Sequence, residues 1–311
     1  MIYQLIRKKK KKFFLEELES AELPPHIYGG ETQQALEWLE VFFKIDSNMG
    51  ILLSGLKGSG KSLMADLICL HSNLPVYLIL KKSKGLQEFL GKITEPCVVL
   101  FQEFDKTYRT FEEQDSLLSI LDGSFNTRML FVLTTNTSKV NPLLTNRLKR
   151  IRYHKEYVGL SDEVMGEVIT RELENKKHQS ELEMTLNLLS VVSMDMLQGI
   201  ISEINLTGKS PKECLKTLNI QLEHSHFSAR LWLQGVGWQY STINYNPILA
   251  GVVRVSYPFE GRWGTYDKWY EKSLDEVEIE VEGKEISFRD KEGNKVVITP
   301  QNLREKFKLW D

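Results

Sequence analysis

The sequence holds only three cysteines in 311 residues, Cys69, Cys97 and Cys214. They are far apart, odd in number and without a CxxC spacing. That excludes a disulfide framework and reads as buried thiols in a reducing compartment. Histidines are also few. The nearest pair, His224 and His226, has no further ligand at a finger-like spacing, so no zinc site is expected. No apolar run approaches the ~20 residues of a membrane span. The N-terminal stretch MIYQLIRKKKKKFFLEELES has its basic run after a short apolar one, the wrong order for a signal peptide. A cytoplasmic location is the expectation. Neither sign of charge is in excess: 40 Lys and Arg stand against 42 Asp and Glu, a net charge of −2. No global field therefore calls for nucleic acid, and a local basic face stays open. Arg7 to Lys12 is an unbroken basic block, either a solvated leader or a tether to nucleic acid or another acidic surface.

What is present is the composition of a folded chain, 41% hydrophobic and 26% charged. The length fits about two or three compact units. Residues 1–25 read as a basic arm ending in Pro24-Pro25. From Glu31 to Phe43, Ala35, Leu36, Leu39, Phe42 and Phe43 recur with helical spacing. Short apolar runs then alternate with helical patterns. The runs Gly50–Leu53, Val76–Leu80, Cys97–Phe101, Met129–Thr134 and Ile151–Val158 predict strands, with helices over Lys61–His71 and Gln114–Leu121 among those between. This alternation predicts an α/β domain over 26–160, a parallel sheet flanked by helices. Residues 161–225 are Leu-, Glu- and Lys-rich with helical spacing and predict an α-helical unit with Met194, Leu197, Ile200 and Ile201 in its core. Residues 226–311 change again. Val277, Ile279 and Val281 alternate with acids, and turns at Gly283-Lys284 and Glu292-Gly293-Asn294 precede further alternating runs. A β-rich C-terminal module is expected, closed by a helix capped at Thr299 with Pro300 in its first turn. The sequence shows no internal repeat.

The strongest signal is GLKGSGKS, Gly55 to Ser62, a full match to G-x-x-x-x-G-K-[ST] after a strand-like run and before a helical pattern. Gly55, Gly58 and Gly60 let the backbone curl so that N–H groups point at phosphate oxygens. The following helix adds its positive end. Lys61 is expected at the β- and γ-phosphates and Ser62 on Mg2+. Ser59 and Leu63 complete the expected phosphate-binding set. About forty residues on, VVLFQEFDK runs an apolar strand into Gln102, Glu103 and Asp105.

Taken with LFVLTTN and NPLLTNRLKR, these stretches make residues 27–220 resemble the AAA+ ATPase superfamily. LLSILDG, Leu117 to Gly123, is most similar to the AAA branch that includes the mitochondrial translocase of the Rieske protein. The resemblance implies a P-loop NTPase fold with 161–225 as its helical lid, ATP and Mg2+ as cofactors, and a homo-oligomeric ring, a hexamer, acting on a macromolecular client. In the family the pattern after the apolar strand is Asp-Glu. Glu103 then polarises the attacking water, while Gln102 replaces the magnesium-shell aspartate and brings no charge. Asn136 takes the place of the polar residue that positions water. Arg147 and Arg150 match arginines that reach a neighbouring subunit's site, where charge stabilises phosphoryl transfer; a solvated basic turn is the plainer reading.

The client stays open. The stretch KKSKGLQEF, Lys81 to Phe89, follows the second strand of that domain, where many relatives grip polypeptide. It carries lysines and no aromatic at its tip. The C-terminal module holds Trp232, Trp238, Trp263, Trp269 and Trp310 among Tyr240, Tyr245, Tyr257 and Tyr266. These fit a stacking surface, a docking face or an aromatic core. Three functions remain: a motor remodelling a protein or nucleoprotein, a nucleic-acid-handling ATPase of helicase or clamp loader type, and an ATP-binding assembly switch that hydrolyses little. The compact, lysine-rich chain also fits a phage source, which would make the compartment the host cytoplasm.

Overall fold

The computed structural model describes residues 2–7, 13–18, 22–123, 125–137, 140–187, 189, 191–218, 227–245, 247–261, 264–282 and 285–300. The chain divides into two compact units, Met1–Val164 and Met165–Asp311.

The first unit is built on one seven-stranded sheet. Its strands are β1 (Ile2–Arg7), β2 (Phe13–Leu18), β3 (Met49–Gly55), β4 (Val76–Ile79), β5 (Cys97–Phe101), β6 (Met129–Thr134) and β7 (Tyr153–Tyr157), in the order β2-β1-β4-β5-β6-β3-β7. All are parallel except β2, which pairs antiparallel with β1. The helices of this unit are α1 (Glu31–Lys44), α2 (Lys61–Ser72), α3 (Leu86–Leu90), α4 (Phe104–Thr107), α5 (Phe111–Leu121) and α6 (Pro142–Thr145). The expected parallel sheet and its helices are present.

The apolar runs are continuous because both faces of the sheet are covered. Alternate residues of each strand go to opposite cores. Ile51, Leu53, Val98, Leu100, Leu130 and Val132 pack with Trp38, Leu39 and Phe42 of α1 and Met64, Leu67 and Ile68 of α2. Leu52, Val99, Phe101, Phe131 and Leu133 pack on the other side with Leu86, Leu90, Leu117, Ile120 and Leu144. Each such side chain contributes about 1.5–3 kcal/mol relative to exposure.

The N-terminal residues differ from the expected arm. Ile2–Arg7 lies beside β4, with Ile2 opposite Val76 and Gln4 opposite Leu78, and Arg7 pairs with Phe13. The reason is that β4 would otherwise leave its N–H and C=O groups unpaired at the sheet edge. The lysines at 8–12 lie outside the described residues.

Four helices follow: α7 (Asp162–Glu172), α8 (Gln179–Asn187), α9 (Met194–Thr207) and α10 (Pro211–Thr217). Ser193 and Ser210 cap α9 and α10 through their hydroxyls, and Ser210 closes a capping box with Glu213. Leu197, Ile200, Ile201 and Ile204 are buried along one stripe of α9, whereas Met194 is only half-buried at its first turn.

The remaining strands are β8 (Phe227–Leu233), β9 (Gly237–Ile243), β10 (Val252–Gly261), β11 (Gly264–Ser273), β12 (Val277–Glu282), β13 (Glu285–Asp290) and β14 (Lys295–Pro300). They form a five-stranded antiparallel sheet, β12-β13-β14-β8-β9, and a β10-β11 ribbon. Phe227, Leu231, Val253, Val255, Ile286, Phe288, Val296 and Ile298 form its core. Glu282 pairs with Glu285 around the expected Gly283-Lys284 turn, which itself lies outside the described residues. The expected closing helix does not begin at Thr299: Thr299 pairs with Ser228 and Pro300 with Phe227, because the chain is still completing β14. Residues 301–311, and with them Trp310, lie outside the described residues, as do Trp263, His224 and His226.

Candidate active site

Three adjacent strands, β5, β6 and β3, end at the carboxyl edge of the parallel sheet, where ligands of α/β folds bind. Each delivers one part of the site.

From β3 the backbone turns through Gly55 (φ 120°), Gly58 (φ 71°) and Gly60 (φ 99°) into α2. Gly55 leaves no choice of residue. A Cβ there would lie 2.1 Å from the Tyr157 carbonyl oxygen, which also accepts the Leu56 N–H at 2.9 Å. Tyr157 thus holds the loop from β7, and its hydroxyl donates to Glu31 of α1 at 2.8 Å. Burial, with Glu31 beside it, pushes that phenol well above the usual tyrosine range. Sequence reasoning missed Tyr157, since its role runs through a backbone carbonyl. Ser59 donates to the Leu56 carbonyl at 2.6 Å. The Lys61 amine, with the residue 7% exposed, is drawn over the loop and donates to the Gly55 carbonyl at 3.0 Å and to that of Leu56. Ser62 is exposed at the start of α2, and Leu63 is partly buried behind it.

From β5 comes the half-buried Gln102 and then Glu103, whose backbone is left-handed (φ 46°, ψ 52°). For a non-glycine residue this conformation is uncommon and costs on the order of 1 kcal/mol or more. The strain is held by contacts from β6. The Glu103 N–H donates to the Thr134 hydroxyl at 2.8 Å, and the Asn136 side-chain amide donates to Glu103 Oε1 at 2.7 Å. The Asn136 N–H lies 3.4 Å from Asp105 Oδ1. Lys106, one turn on, donates to Glu103 Oε2 at 2.5 Å. The Lys106 ammonium holds the Glu103 carboxyl below the usual carboxylate range, the Asn136 amide adds to this, and partial burial opposes both. Glu103 is therefore ionised at neutral pH, with a donor on each oxygen.

The two arginines separate. Arg150 is 8% exposed and grips Asp122 through Nε at 2.7 Å and Nη2 at 2.5 Å, while Nη1 donates to the Leu143 carbonyl at 2.6 Å. Its bonds hold the Asp122 carboxyl below the usual range. The side chain of Arg147 is 66% exposed and only approaches Asp122, at 3.8 Å. The structure thus brings together Glu103 and Asn136, sets Lys61 over the Gly55–Gly60 loop, and keeps Arg147 and Arg150 on Asp122.

The loop suits a nucleotide's phosphates: three left-handed glycines curl its backbone, a lysine lies over it and a helix N-terminus stands behind it. Among the described residues no group of three or more His, Cys, Asp or Glu converges as a metal cage. The two oxygens the sequence offers for magnesium, the Ser62 hydroxyl and the Gln102 amide, are neutral. They suit a magnesium ion that keeps waters and takes its charged ligands from phosphate.

Residues 51–156 match the model of the AAA family, described as the ATPase family associated with various cellular activities. No curated protein matches the chain. The matched span runs from β3 to β7 and contains every site residue named above except Tyr157 and Glu31. Among the described residues, no helix is long and apolar enough to cross a membrane.

Proposed function

We propose, for a chain that belongs to the AAA+ ATPase superfamily through its residues 51–156, that it hydrolyses ATP in a homo-oligomeric ring, a hexamer, and spends the cycle on remodelling a macromolecular client. The observation that carries this is the pair Asn136–Glu103, an amide on a carboxylate at 2.7 Å on the strand ends beside a phosphate loop. Phosphate binding alone needs the loop. A carboxylate steered by a neighbouring strand is what activation of water needs.

In this reading Gly55, Gly58, Ser59, Gly60, Lys61, Ser62 and Leu63 hold the phosphates. Ser62 and Gln102 offer oxygens to Mg2+, which, when bound, neutralises phosphate charge. Glu103 takes a proton from water as the water oxygen bonds to the γ-phosphorus and the bond to ADP breaks. Asn136 keeps the carboxylate aimed. Arg147, exposed and weakly held, serves a neighbouring subunit's site, while Arg150 anchors the segment that presents it. Residues 161–225 act as the lid, 226–311 recruit the client, and the ring works in the cytoplasm. Gln102 and the Lys106 contact favour a second reading, an assembly switch that binds ATP and turns it over slowly.

The test is a titration with a fluorescent ATP analogue. Lys61→Ala is expected to lose binding. Tight binding retained by a folded Lys61→Ala protein would remove the phosphate-loop assignment.

A further inference from the structure

Lys106 belongs to two groups at once. It is bonded to Glu103 inside the site. It also lies on a basic surface made by two neighbouring loops at the carboxyl edge of the sheet. The loop after β4 carries Lys81, Lys82 and Lys84 with no acid among them, and the segment after β5 carries Lys106 and Arg109 between Asp105 and the Glu112-Glu113 pair; all five cations are exposed. The two segments are joined. Thr107 donates to the Leu80 carbonyl at 3.2 Å, and the Lys82 ammonium sits 5.8 Å from the centre of the Tyr108 ring. Glu103 takes up Lys106, and Glu113 lies 3.7 Å from Lys82. Among the described residues no carboxylate comes within ion-pair distance of Lys81, Lys84 or Arg109.

We infer that this surface binds a single-stranded nucleic acid, and that the strand draws Lys106 off Glu103 and so raises turnover. The inference rests on the ATPase reading above. Three features support it. The loop presents cations and no exposed aromatic, so it reads charge rather than side chains, and a nucleic acid carries regular negative charge along its length. The surface is formed by loops that leave two adjacent strands, β4 and β5, and are tied to each other, which sets the cations side by side. The Lys106–Glu103 pair is exposed (64% and 37%), and exposed pairs are weak, so competing phosphates displace the lysine. Freed of it, Glu103 Oε2 is available to water. Lys106 is here a positioning residue, acting through Glu103.

The experiment uses the full chain, a labelled thirty-base oligo-dT for anisotropy, and steady-state ATP hydrolysis at low salt. Wild type is expected to bind the oligonucleotide, with log affinity falling by about 0.7 per neutralised phosphate per tenfold rise in salt. Its turnover should rise by about two- to five-fold, the ceiling an exposed pair allows. Lys106→Met should start at the raised level and gain nothing further, while Lys106→Arg should behave as wild type. Lys81→Ala with Lys84→Ala should leave basal turnover unchanged, weaken binding and lose the stimulation. Stimulation by poly-glutamate and not by oligo-dT would overturn the assignment in favour of an acidic protein. Full stimulation retained in Lys106→Met, or binding untouched by the Lys81/Lys84 double variant, would overturn the mechanism. A chain that binds oligo-dT through Lys81 and Lys84 yet hydrolyses no ATP would remove the ATPase reading and the Lys106 mechanism while leaving the surface in place. Hydrolysis without binding would remove the surface alone.

Discussion

The carboxyl edge of the parallel sheet and the outer face of the antiparallel sheet both gather conspicuous residues, and they do so differently. At the first, polar groups converge under strain: Glu103 in a left-handed conformation, Asn136 on one oxygen, Lys106 on the other, and Gly55 pressed against Tyr157. At the second, aromatics stand out in the open. Trp232 and Trp238 face each other across β8 and β9 with ring centres 5.5 Å apart, and Tyr240 is 74% exposed. On the ribbon, Arg254 lies 4.5 Å from the centre of the exposed Trp269 ring. The tryptophans are engaged with each other and with nearby cations, and among the described residues no strained non-glycine backbone draws them to a point. Convergence that costs free energy marks chemistry; exposure alone marks a surface.

The largest effect should come from Gly55→Ala. It places a carbon 2.1 Å from a backbone oxygen at φ 120°, and nucleotide affinity measured by titration should fall below detection. The next should come from Arg147→Ala, which, if the proposed ring forms, is expected to leave nucleotide affinity and melting unchanged but cut turnover by about 10³-fold or more. Arg150→Ala sharpens the contrast. It removes a bidentate pair and a carbonyl contact from a buried side chain, so the first unit should lose about 1–3 kcal/mol in urea unfolding.

The same pair predicts a pH signature. The Asp122 carboxyl is lowered in the fold, so its contribution is complete above the ordinary aspartate value of about 3.9. It is lost as pH falls from there through the lowered value. Asp122→Asn should flatten that part of the acid unfolding curve. The smallest effect is expected at the other surface. Trp238→Ala should cost about 0.5–1.5 kcal/mol of stability, the worth of a cross-strand aromatic pair, with no change in basal ATP turnover.

Much of this was legible in the sequence where physics imposes a period or a spacing. Cys97–Phe101 and Met129–Thr134 announced themselves because both their faces are buried, and GLKGSGKS because a loop around phosphates tolerates few residue types. Glu103 and Asn136 were legible from their places at strand ends. Their mutual contact was not, since it joins residues thirty-three apart. The N-terminal strands were masked by six basic residues whose charge outweighed a short apolar run. Arg147 and Arg150 look alike in NPLLTNRLKR, and only burial tells them apart. Tyr157 acts through its main chain, which no side-chain pattern encodes. The C-terminal aromatics gave an ambiguous signal because composition does not say which face of a strand a ring occupies.

The central claim is that Glu103, held by Asn136 beside the phosphate loop, activates water. Its most direct test is steady-state ATP hydrolysis across protein concentrations for wild type, Glu103→Gln and Gln102→Asp. Turnover per subunit is expected to rise with concentration and to fall about 10²–10⁴-fold in Glu103→Gln, with ATP binding retained. Wild-type turnover no higher than that of Glu103→Gln, restored by Gln102→Asp, would contradict it and leave a protein that binds ATP without consuming it.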